Sequence, residues 1–265
     1  VVLSFIDVAS VISGVIVGFV LGLIGGGGSV FATPLLVYFV GVSDPHIAIG
    51  TGAAAVAVNA LVNLVPRARA GQVKWRCAAV FAAAGFFGSV AGSTLGKVFD
   101  GQKLLLLFGI VMLVIAAQMG LTKGAPLEKD VRLTSENARK MAPLLISFGF
   151  GVGALAGFFG IGGGFLAVPG ILAATGMPMI YAVGSSLVSV AVFGATTAVN
   201  YMISGLIDWR ISALVLLGGA IGGLFGGALA TRLAGHKQAL RQIFAVMIAG
   251  VGFYVIYRGV LALMA

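Results

Sequence analysis

Gly25-Gly26-Gly27-Gly28-Ser29-Val30-Phe31-Ala32-Thr33-Pro34 interrupts a strongly apolar run. At a spacing of 135 residues, Gly160-Ile161-Gly162-Gly163-Gly164-Phe165-Leu166-Ala167-Val168-Pro169 interrupts another. Each glycine inside a helix costs about 1 kcal/mol relative to alanine, and the closing proline removes a donor and clashes one turn back. The backbone is therefore expected to open at both places. In hydrocarbon, opened backbone is tolerated only where it lines a cavity or is buried in protein. A duplicated interruption points to an internal site.

Composition decides that hydrocarbon is the relevant solvent. Charged residues make up 9% of the chain and apolar ones 60%, with a mean hydropathy of +1.15, whereas soluble domains run near about 25% charged. The chain reads as an all-α, polytopic integral membrane protein. Its length leaves room for about eight to ten spans of roughly 20 residues. The net charge of +9 does not indicate nucleic acid: the 16 Lys and Arg stand in short groups between apolar segments, as in cytoplasmic loops. No basic stripe with interleaved aromatics accompanies them. A single cysteine, Cys77, excludes an intramolecular disulfide and any multi-cysteine metal site. No metal and no cofactor are expected.

The chain divides into a first repeat over 5–122, a polar linker over 123–141 and a second repeat over 142–263, forming a single transport domain. Gly153, Gly157 and Gly160 echo Gly18, Gly22 and Gly25 at a spacing of 135, and Gly184, Gly205, Trp209 and Arg210 echo Gly50, Gly71, Trp75 and Arg76 at 134. Each half offers five helical segments. The second of them, Ser29 to Val42, is about 21 Å long as a helix, short for a membrane of about 30 Å. It either crosses with help from the extended glycines or turns back as a hairpin. Five crossings per half put 12 of the 16 Lys and Arg on one side, and re-entrant second segments put 11 there, so both satisfy the positive-inside rule. Five crossings make the repeats inverted, the arrangement preferred here, with the two breaks facing each other near mid-membrane. Gly88, Gly92 and Gly96, like Gly219, Gly223 and Gly227, recur every four residues and form smooth faces for close helix contact.

No Asp, Glu, Lys or Arg falls near the midpoint of a predicted span; Asp7, Asp44, Lys74 and Asp208 sit near ends. A cation site would ordinarily keep a carboxylate there. The interior instead offers backbone N–H groups at helix starts after Gly28 and Gly164, which bind oxyanions without a formal cation. Gly27, Gly28, Gly162, Gly163 and Gly164 are expected to approach the substrate. Ser29, Thr33, Thr51, Asn59, Asn63, Ser185, Ser186 and Asn200 supply hydroxyls and amides. Trp75 and Trp209 read as interfacial anchors, and the adjacent Arg76 and Arg210 as vestibule charges that draw in anions. His46 and His236 stand far apart without carboxylate pairing, so the chain lacks the constellation of a membrane enzyme. The partners expected are a small anion, the lipid bilayer and a coupling ion. Alternating access accounts for paired halves better than a channel does; the alternatives are an anion channel or a transporter of another small carboxylate or oxyanion.

The paired glycine motifs ending in Pro34 and Pro169, the loops Gly71 to Arg76 (GQVKWR) and Gly205 to Arg210 (GLIDWR), and the two-half plan resemble the TauE/SafE family, also called TSUP. The resemblance extends from about Gly14 to Tyr257. It implies a transporter of the bacterial inner membrane that moves sulfite, thiosulfate, sulfoacetate or a related organosulfonate. The first motif departs from the commoner pattern by carrying Ser29 where the second has Gly164.

Overall fold

The computed structural model describes residues 4–24, 26–121, 138–232 and 237–264, and its regular elements are all helical. The first half comprises α1 (Phe5–Ile24), a 3-10 turn (Gly26–Phe31), α2 (Ala32–Leu35) running on into a π turn (Leu36–Val40), α3 (Pro45–Arg69), α4 (Trp75–Val98) and α5 (Gly101–Leu121). The second comprises α6 (Ala138–Phe159), α7 (Gly164–Thr175), α8 (Met179–Ile203), α9 (Trp209–Arg232) and α10 (Lys237–Met264). Among the described residues, seven helices are long and apolar enough to cross a membrane. Most of the polar stretch 123–141 lies outside the described residues.

Local signals explain where the long helices begin and end. Asp44 caps α3, its carboxylate accepting from the His46 N–H at 2.8 Å, with Pro45 at the first helical position, where a missing N–H costs nothing. The turns after α3 and α8 pass through Gly71 and Gly205, both left-handed at φ 66° and 71°, a conformation that penalises any β-carbon.

The glycines decide how the helices pair. A β-carbon on Gly14, Gly18 or Gly22 of α1 would strike the backbone of Val215, Gly219 or Gly223 of α9. One on Gly149, Gly153 or Gly157 of α6 would strike Phe81, Gly85 or Ser89 of α4. The first helix of each half thus packs on the fourth helix of the other, and in both pairs the numbers rise together, so the partners run parallel. Asn59 and Asn63 of α3 meet Gly219 and Gly223, which makes α3 parallel to α9 as well. Ser89, Ser93 and Lys97 of α4 bond Thr197, Asn200 and Ser204 of α8, which makes those two parallel. The result is two three-helix bundles, α1–α3–α9 and α6–α8–α4, each holding one helix borrowed from the other half.

Between the bundles the direction reverses. Gly50 of α3 meets Tyr201 of α8, and Gly194 of α8 meets Ala53 and Ala57 of α3, so α3 and α8 are antiparallel. Gly109 and Gly252, packed on Ile256 and Met112, set α5 and α10 antiparallel in the same way. Because α1 and α3 share a direction, the segment Gly26–Val40 has to carry the chain back along the bundle between them.

The interdigitated glycines should be sensitive in a position-specific manner. Gly153→Ala forces a β-carbon into the α4 backbone, while a β-carbon at Gly151, two residues away, meets nothing within 4 Å. Gly153→Ala should lose about 1–3 kcal/mol by overpacking, and Gly151→Ala should be neutral or slightly stabilising. Thermal unfolding of both variants in detergent checks this; equal midpoints would contradict the pairing.

Candidate functional site

The seam between α3 and α8 is where the third helices of the two halves meet, and the loops of each half are tied to the helix of the other. Thr51 Oγ1 accepts a hydrogen bond from the Asp208 N–H at 2.9 Å, and Ser185 Oγ accepts one from the Lys74 N–H at 2.9 Å. Thr51 matches Ser185 and Lys74 matches Asp208 at the repeat spacing of 134. Gly50 and Gly184 stand beside these hydroxyls and let the Leu206 and Gln72 carbonyls come close. The two bonds are therefore one contact made twice, at opposite ends of the seam.

The two glycine breaks reach this region with different backbones. In the second, Gly160, Gly162 and Gly163 are left-handed at φ 66°, 62° and 71°, and Gly164 starts α7. The Ile161 between them is fully buried and anchors the turn. A β-carbon at Gly162 would lie 3.1 Å from Val56 of α3 and 3.7 Å from Gly194 of α8, and one at Gly163 would come within 2.7 Å of Ala156 and Phe193. In the first break the chain winds into the 3-10 turn, and the α-helix begins only at Ala32, not directly after Gly28. Gly27 is buried, and Gly28 packs against the backbone of α1 at Val17 and Leu21. Its missing side chain serves helix contact there.

The remaining polar positions fall into separate groups. Ser29, Thr33 and Asn59 are all fully buried. The Thr33 hydroxyl and both ends of the Asn59 amide have no hydrogen-bond partner among the described residues. Asn63 donates to the Asn59 backbone carbonyl at 2.8 Å, and Ser186 donates to the Val183 backbone carbonyl at 2.9 Å, so both bond within their own helices. Asn200 belongs to the end of the bundle. Its amide donates to Ser93 at 2.6 Å and Thr94 at 3.0 Å and accepts from Lys97 Nζ at 2.6 Å, joining α4 to α8.

The two vestibule arginines lie at opposite ends. Arg76 is exposed in the first turn of α4. Arg210 is ion-paired to Asp7 of α1 at 2.8 Å, with side chains 69% and 6% exposed respectively. Asp7 also accepts from the Ser4 N–H at 3.0 Å. Arg210 thus neutralises a buried carboxylate and holds the borrowed α9 to α1.

Three participants escaped sequence reasoning. Arg67, half-buried at the end of α3, donates to the Gly22 carbonyl at 3.0 Å and to Gln72 Oε1 at 3.2 Å, which stations a cation one turn before the first break. Lys97 organises Asn200 and Ser204, and Ser13 buries an unpartnered hydroxyl on α1. Each depends on a contact between distant segments that leaves no local pattern.

Arg210→Gln should strand Asp7 without its cation. The expected loss is on the order of 1 kcal/mol, because Arg210 is mostly solvent-exposed. Adding Asp7→Asn should recover most of it. Thermal stability of the single and double variants decides the matter: a single variant as stable as the parent would mean the pair contributes nothing.

The sulfite exporter TauE/SafE family profile matches residues 10–255. A probable membrane transporter protein of Xylella fastidiosa is 46% identical over 254 residues, 96% of this chain and 96% of its own. The probable membrane transporter protein YunE of Bacillus subtilis is 28% identical over 267 residues, 94% of this chain and 97% of its own. No solved structure matches the chain.

Proposed function

The chain belongs to the sulfite exporter TauE/SafE family of membrane transporters, and from that premise we propose that it is a secondary carrier of a small sulfur-containing anion. Sulfite, thiosulfate, sulfoacetate and related organosulfonates form the substrate class, and a bacterial inner membrane is the setting. The observation that carries the mechanism is the antiparallel exchange about α3 and α8. Two bundles of one design run in opposite directions, and the loop of each half is hung on a hydroxyl of the other half. On this reading the halves are inverted repeats in the bilayer. Rocking one bundle against the other then opens the seam first at one face and then at the other.

The choice of an anion rests on the chemistry of the interior. Asp7, the buried acidic residue among those described, is held by Arg210 near the end of its helix, and the groups deeper inside are amides, hydroxyls and opened backbone. Such groups can turn N–H and O–H donors toward an oxyanion. Arg67, Arg69, Lys74 and Arg76 gather at one mouth of the seam, where they would raise the local concentration of anions.

Purified protein in liposomes tests this. Uptake of radiolabelled sulfite or thiosulfate should saturate and be accelerated by the same anion loaded on the far side. Flux that stays ohmic, far above about a thousand ions per second, would establish a channel instead. Saturable uptake of carboxylates with no response to sulfur anions would move the substrate class.

A further inference from the structure

The two halves share a fold but differ in what they bury at equivalent positions. In the first half, the hydroxyls of Ser13 and Thr33 and both ends of the Asn59 amide are buried without a hydrogen-bond partner among the described residues, and none of the three residues is more than 1% exposed. Buried polar groups are nearly always satisfied, so several together in a native interior point to something they bind. The second half carries Phe148, Val168 and Phe193 at the matching positions. Phe193 is fully buried, and its ring occupies the space that a β-carbon would need at Gly85 and Gly163.

Packing register brings the three polar residues to neighbouring levels of one bundle. The returning segment runs against α1 with Gly28 beside Val17 and Leu21, and with Leu36 and Val40 in one apolar cluster with Ala9. Thr33 lies between these points on the segment, and Ser13 lies between them on α1. Asn59 reaches Gly219, which packs on Gly18, little more than one turn along α1 from Ser13. Among the described residues the second half also buries two hydroxyls without a partner, Ser189 and Tyr201. Ser189 stands at the position of Ala55, and Tyr201 lies beside His46, with ring centroids 6.4 Å apart at the end of the seam. Neither replaces the trio.

We propose that the carrier holds its substrate off the pseudo-twofold axis, in a hydrated polar seat of the first half formed by Ser13, Thr33 and Asn59, while Phe193 plugs the matching place in the second half. The choice of ligand rests on the sulfur-anion reading. Two hydroxyls and an amide NH2 offer donors enough for one tetrahedral or pyramidal oxyanion and no formal charge, so release is not opposed by an ion pair. One seat for two symmetric bundles means that the same site is exposed to either face in turn.

Accessibility and transport separate this seat from the sulfur-anion reading. In a Cys77→Ala background, Thr33→Cys should react with a small methanethiosulfonate at least tenfold faster than Val168→Cys. With parent-level protein in the membrane, Thr33→Val and Ser13→Ala should each raise the KM for sulfite by about tenfold, and Ser189→Ala should leave it within twofold. Equal labelling of the two cysteines would overturn the off-axis seat. So would a Ser189→Ala defect as large as that of Thr33→Val. Preferential labelling of Thr33→Cys in a protein that takes up neither sulfite nor thiosulfate would uphold the hydrated seat and overturn the sulfur-anion reading alone.

Discussion

Everything in this fold depends on two helix pairs that touch backbone to backbone. Along α1 and α9, and again along α4 and α6, glycines place carbonyl groups where a β-carbon would otherwise stand. In a bilayer there is no hydrophobic gain in bringing two apolar helices together, so association rests on close van der Waals contact and on small residues that permit it. Both pairs join a helix of one half to a helix of the other. Neither half can complete a bundle alone, and the chain has to interleave.

That interleaving places the seam. Once α9 is committed to α1 and α4 to α6, α3 and α8 are left facing each other in opposite directions, and the short glycine-led segments have to lie beside them. Thr51 and Ser185 then fix the loops that close each end. The symmetry lies in how the long helices pair, whereas the glycine breaks and the chemical identity of the residues around them have diverged. Asn59 and Asn63 stand opposite Phe193 and Thr197, and Ser29 and Thr33 opposite Gly164 and Val168. The carrier proposed here needs only one place for its substrate, and the uneven distribution of buried polar groups between the halves matches that need.

A β-carbon at Gly227, the sixth of the four-spaced glycines, would meet nothing within 4 Å; helical class, the repeat of 134 to 135 residues and the packing role of the other five are written in local sequence. The partner of each glycine face is not, because an i, i+4 stripe states that something packs closely without stating what. The same gap hides the Asp7–Arg210 pair, separated by 203 residues. It also hides the clasp in which Lys97 captures Asn200. Gly28 and Gly163 occupy equivalent motif positions, yet one packs on α1 with negative φ while the other is left-handed beside Phe193. Two similar strings of glycine have taken different paths: the first packs on α1 at Val17 and Leu21, and the second turns beside Ala156 and Phe193.

The central claim, that two antiparallel bundles rock about the α3–α8 seam, is tested most directly by distances between spin labels at its two ends. One pair is Ser43 with Ser204, and the other, at the opposite end, is Ala70 with Met179. Saturating sulfite added to liposome-embedded protein should shift the two distance distributions in opposite senses, one end closing as the other opens. Distances that move in the same sense at both ends, or at neither, would contradict it.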